Sequence, residues 1–402
     1  MLPHRLQFVP ESSAELLAEI PALPAVFALR GEAGTEPYAS KTANLRRRLT
    51  RLLSPPQPGS KRLNLRERVR SLEYGLTGSD FESGLLLYRV LRREFPKVYV
   101  QRLRWRPAPL VRLILENEYP RATITTRIAT LRGQSLYYGP FPTRAVAEKF
   151  VNDALDFFKL RRCPDDLHPD PAFPGCIYSE MKMCLAPCFL ACSDLEYRGE
   201  VERVQAFLDS RGQSLLRELE RQRDEASVAL DFETAASCHA RREKLASLLG
   251  PLPEVVRRID RLGGVIVQRS AEADCVALFR VEAGRLNGPV TFALQHQSAE
   301  QTNKPRSMEG RLAEALAAIP PLTPGTALET VEQLAYLKRW YYRSAPEGEI
   351  FFTDANNELP LRRVVRGISR VFRGEKPAGE LTETARDYWI NRGKAAEFSP
   401  ES

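Results

Sequence analysis

Five of the seven cysteines, Cys163, Cys176, Cys184, Cys188 and Cys192, fall between Leu160 and Glu200. The same stretch carries Pro164, Pro169, Pro171, Pro174, Gly175 and Pro187, so it is neither one regular helix nor a central strand. Something other than a backbone ladder must hold it in shape, and thiolates gathered around a metal would do so. The plainer readings are buried small hydrophobes or disulfides. The start MLPHRLQFVP is no targeting peptide, which points to a reducing, cytoplasmic setting and against disulfides. The first four cysteines are separated by twelve, seven and three residues, and only Cys184 and Cys188 are close. That split suits a zinc ribbon and a local iron-sulfur pattern equally poorly, so spacing alone supports a metal or iron-sulfur centre without choosing between them.

A second chemistry lies in the charge. Lys plus Arg number 59 against 51 Asp plus Glu, a net charge of +8. Ten bases stand between Lys41 and Arg70 against the single acid Glu67. Arg46, Arg47, Arg51, Lys61 and Arg62 are the residues expected to meet DNA phosphates, because guanidinium groups bind phosphate oxygens in pairs. A solvated helix face is the bland alternative, and the one-sidedness of the block argues against it.

The elements that must position these groups follow from periodicity. A chain of 402 residues is too long for one core, and no apolar run approaches the roughly 18 residues that cross a bilayer, so a soluble multidomain α+β protein is expected, with no membrane partner. PAVFALR over 24–30 reads as a strand and Tyr38 opens a second. KTANLRRRLTRLL gives an arginine-rich helix with Leu45, Leu49, Leu52 and Leu53 on one face, stopped at Ser54-Pro55-Pro56. RVRSLEYGL supplies a third strand and DFESGLLLYRVLRREF a second helix, completing a small three-stranded α/β domain over 1–105. A small β connector and a helix from Thr143 occupy 106–160, with Tyr137 and Tyr138 packing beside Gly139-Pro140. After the cysteine region at 161–195, residues 196–250 form a helical hairpin with Gly212 interrupting its first helix and a break at Leu230-Asp231-Phe232-Glu233. The last domain, 251–402, opens with strands at 264–269 and 275–281, a turn over Gly284–Gly288 and a return from Val290 to Leu294. Two helices follow in it, RLAEALAAI and ETVEQLAYLKRWYYRSA.

The order Pro-x-Val-aromatic, turn, Tyr-x-x-Lys, x-x-Asn-Leu-Arg-Arg-Arg resembles the GIY-YIG nuclease domain that opens the UvrC family of the excinuclease ABC system. That resemblance implies a metal-activated water and a site built from two tyrosines, a lysine, an arginine and a glutamate. Tyr38, Lys41 and Arg48 match retained catalytic positions. The first motif tyrosine is Phe27, the second motif glycine is Ser40, the metal-binding glutamate falls on Tyr88, and a family asparagine falls on Tyr99. A tyrosine cannot replace a carboxylate at a magnesium site. Glu82 is the only nearby substitute, and six helical steps of about 100° turn it roughly 120° away from Tyr88. DNA binding without incision is therefore expected, with magnesium bound only if the site works after all.

The same family carries a cysteine segment ending in Cys-x-Ala-Pro-Cys whose four cysteines bind a 4Fe-4S cluster. Cys163, Cys176, Cys184 and Cys188 match it, Ala186-Pro187 included, and Cys192 lies outside; structural zinc is the alternative. The run from Ala226 through Leu230, Asp231, Phe232 and Glu233 to Ala236 is similar to the UVR motif that binds the UvrB helicase, implying that Leu230, Phe232 and Glu233 contact that partner. His239 and Ala240 depart from the Arg-Asp usual there. The last domain resembles the opening of the family's RNase H-like endonuclease domain without its carboxylate-bearing strand or a helix-hairpin-helix module. The resemblance, covering about residues 20 to 300, implies a nucleotide excision repair protein that binds DNA and UvrB. The alternatives are an active GIY-YIG endonuclease and a UvrB-binding scaffold that never touches DNA.

Overall fold

The computed structural model describes residues 2–56, 59, 61–129, 133–164, 167–295, 307–323, 325–344 and 346–375. The elements run β1 (His4–Gln7), α1 (Ser13–Glu19), β2 (Ala25–Arg30), β3 (Tyr38–Thr42), α2 (Leu45–Leu53), β4 (Ser71–Leu76), α3 (Asp80–Glu94) and α4 (Tyr99–Leu103). Next come β5 (Leu110–Ile114), β6 (Arg121–Thr125), β7 (Leu136–Gly139), α5 (Arg144–Leu155), α6 (Ile177–Glu180), α7 (Asp194–Asp209), α8 (Gln213–Val228) and α9 (Phe232–Leu249). The chain then forms β8 (Arg257–Arg258), β9 (Gly264–Arg269), β10 (Cys275–Glu282), β11 (Arg285–Ala293), α10 (Met308–Ala317), α11 (Ala327–Tyr341), β12 (Glu349–Phe352) and α12 (Leu361–Arg373). The chain is thus mixed α and β, with three antiparallel sheets ordered β1-β4-β2-β3, β6-β5-β7-β8 and β11-β10-β9-β12.

The first sheet is four-stranded, not three-stranded as the sequence suggests. HRLQ is too short and too exposed to show an alternating pattern, yet it pairs with β4 in register His4 with Tyr74. Strand β2 is buried on both faces. Ala25, Phe27 and Leu29 meet Leu45, Leu49, Leu52 and Leu53 of α2, while Val26 and Ala28 meet Leu86, Leu87 and Val90 of α3. Each helix opens on a side-chain cap, with Asn44 accepting the Arg47 N–H and Ser79 the Glu82 N–H.

The hairpin in the last sheet is tighter than the expected turn over Gly284–Gly288. Ala283 (φ 48°) and Gly284 (φ 73°) sit together in the left-handed region, so Glu282 pairs with Arg285 and the return strand starts at once. The connector sheet takes its fourth strand from far along the chain, β8 pairing with β7 through Tyr138 with Arg258. No described helix is long and apolar enough to cross a membrane. Residues 376–402 lie outside the described residues.

Candidate nuclease face, cysteine pocket and hairpin tip

Tyr38, Lys41 and Arg48, expected from the sequence as nuclease residues, divide between the faces of the first sheet. Tyr38 at the start of β3 accepts a hydrogen bond from Arg48 Nη2 on α2 at 2.7 Å, with Phe27 beside it at 6.1 Å between ring centroids. Lys41 is three residues further along the strand, so it points to the α3 side, where it pairs with Asp80. Arg343 Nη1 binds the same carboxylate at 2.9 Å, and although burial alone would raise the Asp80 pKa, these two cations outweigh it and hold the carboxyl below its usual range.

Tyr88 and Tyr99 have another task. Tyr88 is 1% exposed and donates its hydroxyl to Glu332 Oε2 at 2.8 Å; Tyr99 donates to Glu332 Oε1 at 2.6 Å. Glu332 belongs to α11, in the last domain. Around this bond the indole of Trp105 stacks between Tyr88 (5.3 Å) and Tyr336 (4.7 Å), and Phe81 packs on Tyr336 and Trp340. Burial first, and then the bond to Glu332, raise both phenols, Tyr99 up to about 12. Glu82 is also spent. Its carboxylate accepts the Gly78 N–H at 2.8 Å while Ser79 accepts the Glu82 N–H, a reciprocal cap on α3, and burial raises its pKa. The sequence identified Tyr88 and Tyr99 as departures from a motif but held no sign of Glu332 as their partner, because α11 lies over two hundred residues away and its only local signal is ordinary helical periodicity.

The basic block divides into cations held in structural hydrogen bonds and cations exposed to solvent. Arg66 is held by Ser13 Oγ and the Leu53 carbonyl, and Arg70 by the Glu67 carbonyl. Arg46 is exposed with its Nε on the Ile20 carbonyl, and Lys61 and Arg62 are exposed beyond α2. Arg47 and Arg51, one turn apart on α2, are exposed and no ion pair among the described residues engages them.

All seven cysteines are free thiols, and Cys163, Cys176, Cys184 and Cys188 border one small apolar pocket together with Leu167 and Tyr178. Burial, and then the nearness of the other three sulfurs, pushes the Cys184 thiol up to about 11 against the Ala186 N–H that it accepts at 3.3 Å. Left-handed Ala186 and Leu190 turn the backbone sharply on either side of the Pro187–Phe189 turn. Arg161, 1% exposed, anchors this loop to the connector. Its Nε donates to the Tyr119 carbonyl at 2.8 Å, and its Nη1 lies 3.4 Å from both the Cys163 carbonyl and Cys163 Sγ. Tyr197 of α7 accepts the Arg161 N–H and donates to the Pro120 carbonyl at 2.8 Å. Among the described residues no three His, Cys, Asp or Glu side chains stand close enough to hold a single metal ion. The four sulfurs share a pocket without meeting at one point.

Helices α8 and α9 pack antiparallel, and Leu230 in the left-handed region (φ 59°) makes the turn, with Asp231 capping α9 by accepting the Thr234 N–H at 3.0 Å. Val228, Leu230 and Phe232 project at the tip, 85%, 72% and 69% exposed, with Glu233 beside them.

Residues 110–207, from β5 into α7, match the family model described as UvrC/Cho excinuclease, middle domain. The UvrABC system protein C of Rhodospirillum rubrum is 25% identical over 311 residues, 77% of this chain and 48% of the relative. That of Dehalococcoides mccartyi is 26% identical over 295 residues (72% and 48%), and that of Carboxydothermus hydrogenoformans 28% over 294 (72% and 47%). The chain spans about half the length of the curated relatives it matches. No solved structure matches it. With its middle segment matched by the family model and most of its length aligned to these relatives, the chain is similar to proteins of the UvrC family.

Proposed function

We propose that this protein acts in nucleotide excision repair by holding DNA and a UvrB-like helicase, with the GIY-YIG incision activity lost. The observation that carries the loss is the pair of hydroxyls on Glu332. Tyr88 stands where the family resemblance places the metal-binding glutamate, and it is buried and committed to the packing of α3 against α11. A magnesium site needs free oxygen ligands, and the oxygens here, the Tyr88 and Tyr99 hydroxyls and the Glu332 carboxylate, are bonded to one another beneath a phenol stacked on Trp105.

DNA is met by the exposed bases Arg46, Arg47, Arg51, Lys61 and Arg62, and UvrB by Leu230, Phe232 and Glu233 at the hairpin tip. A partner fits there because an exposed aromatic flanked by aliphatic side chains is the usual anchor of a protein interface. We prefer a 4Fe-4S cluster to structural zinc because Cys163, Cys176, Cys184 and Cys188, which border one pocket, match the cysteine segment that binds such a cluster in the family this chain resembles; these four thiolates would hold it. The Arg161 guanidinium and the Ala186 N–H, each directed at a ligand sulfur, supply the donors that such centres use to offset their negative charge. The cluster's part is to fix a loop that joins the connector to α7.

One observation favours a rival, an active nuclease with a rearranged site: the Tyr38–Arg48 bond is intact. An incision assay on lesion-containing duplex with magnesium separates the two. Binding without nicking is expected; metal-dependent nicking that disappears in Arg48→Ala overturns the reading.

A further inference from the structure

The last helix of the described chain, α12, is arginine-rich in a way its neighbours are not. LRRVVRGISRVFR holds five arginines and no acid. At about 100° per residue Arg362, Arg363, Arg366, Arg370 and Arg373 fall within one sector about 100° wide. Val364, Ile368 and Val371 fall opposite and are buried against the third sheet and α10. Arg370 is turned inward to Glu349, which it binds through Nη2 at 2.8 Å and 2.9 Å and Nε at 3.2 Å. Arg362, Arg363 and Arg366 are exposed, and no ion pair among the described residues involves them.

A solvated helix face looks different, and this protein provides the comparison. On the hairpin, Arg221 pairs with Glu225 at 2.7 Å and Arg242 with Glu220 at 2.9 Å, so arginines there have carboxylates within reach. On α12 Arg362, Arg363 and Arg366 are packed at i, i+1 and i+4 with no ion pair among the described residues, while Arg370 reaches Glu349 and Arg373 pairs with Glu375 at 2.7 Å. Such repulsion costs stability when no anion is present. The patch continues past the helix end. Arg269 on β9 is exposed, and it lies so close to left-handed Gly374 that a Cβ there would strike its guanidinium.

We infer that the arginine face of α12 is a second DNA-docking surface, which grips the phosphate backbone of a duplex without reading its sequence. The helical rise from Arg362 to Arg366, which holds the three arginines in no ion pair among the described residues, is roughly 6 Å at 1.5 Å per residue, close to two phosphate steps along one strand at 3.4 Å each. Guanidinium is the group suited to phosphate oxygens, and apart from Phe372, which is exposed, the apolar side of the helix is buried, so α12 has little to insert into a bilayer. The surface deepens the proposal that this protein binds DNA, and it lies on a different domain from α2.

Salt dependence tests it on the full chain. Binding of a 30-base-pair random-sequence duplex is followed by fluorescence anisotropy between 50 and 200 mM KCl. The variants are R362Q/R363Q/R366Q, the same three as lysine, and R47Q/R51Q on α2. Each phosphate left without its cation lowers the log–log salt slope by about 0.9, so the glutamine triple is expected to flatten it by about 2.7, and wild type then loses on the order of 40-fold more affinity across that range. The lysine triple keeps the wild-type slope, which separates charge from any folding defect. An unchanged slope in the glutamine triple, with R47Q/R51Q flattened, overturns this inference and leaves the α2 reading in place. A flattened glutamine triple with R47Q/R51Q unchanged does the reverse. Binding to vesicles containing 30% phosphatidylserine, but not to the duplex, overturns the assignment to DNA.

Discussion

Glu332 is the residue whose removal tests the contact of α3 and α4 with α11 most directly. Its two oxygens each accept a tyrosine hydroxyl, at 2.8 Å from Tyr88 and 2.6 Å from Tyr99. Hydrogen bonds to a charged group contribute about 1.5–3 kcal/mol each, and the low end applies because Glu332 is half-buried. Glu332→Ala should therefore cost about 3 kcal/mol, since it leaves two phenols without an acceptor in an aromatic cluster. Tyr88→Phe and Tyr99→Phe should each cost about 1.5 kcal/mol. Once both hydroxyls are gone, Glu332→Ala has little left to break, so the cycle yields a coupling near 3 kcal/mol. The readout is urea unfolding followed by tryptophan fluorescence, because Trp105 and Trp340 both sit in the contact. The transition followed is the tryptophan-reported one, since a chain of several domains need not unfold in one step. Additivity of the single and double variants within about 0.5 kcal/mol would refute the bond.

Three further outcomes follow from the same geometry. Tyr88 and Tyr99 have folded pKa values raised above the unfolded value of about 10, so their contribution is fully present below pH 10 and lost as pH rises toward the folded values, about 12 for Tyr99; the tryptophan-reported midpoint should fall above about pH 10, and Y88F/Y99F should make that fall shallower without abolishing it, since burial also raises Tyr336, Tyr341 and Tyr342. Phe232→Ala touches a side chain 69% exposed, so the unfolding midpoint should stay within about 0.5 kcal/mol while pull-down of a UvrB-like helicase weakens by an order of magnitude or more, as losing a hot spot of about 2 kcal/mol requires. Anaerobically purified protein should be brown with iron bound, Cys184→Ser should be colourless, and Cys192→Ser should keep its colour; stoichiometric zinc in place of iron would overturn the cluster.

The periodic elements were legible because their signals are local. Leu45, Leu49, Leu52 and Leu53 lie on one face of α2 in the sequence and in the structure, and the hairpin break at Leu230–Glu233 is where the chain turns. Strand β1 and the two-residue strand β8 were not legible, since so short an edge segment carries no pattern of its own and is fixed by the strand it joins. Of the site residues, Tyr38 and Arg48 do meet, and the four cysteines do share a pocket. The fate of Tyr88 was only half visible. A phenol in place of a carboxylate is plain in the sequence, but what it binds instead depends on a pairing across 244 residues that no window of sequence contains.

The contact at Glu332 also bears on how DNA would be held. Arg47 and Arg51 on α2, and Arg362, Arg363 and Arg366 on α12, are in no ion pair among the described residues, and the two helices lie about three hundred residues apart in the sequence. They share one frame because α3, behind the sheet that carries α2, is joined to α11 through Glu332, the stack of Tyr88, Trp105 and Tyr336, and Phe81 against Phe279 of β10. A duplex that has met one face then meets the other at a high effective concentration, without a second loss of orientational freedom. Loosening the frame should lower affinity while every phosphate keeps its cation. E332A/W105A is accordingly expected to bind the duplex more weakly at every salt concentration, with a slope equal to that of wild type, whereas R362Q/R363Q/R366Q changes the slope itself. A shallower slope in E332A/W105A, or wild-type affinity, would show that the two arginine faces do not act through a common frame.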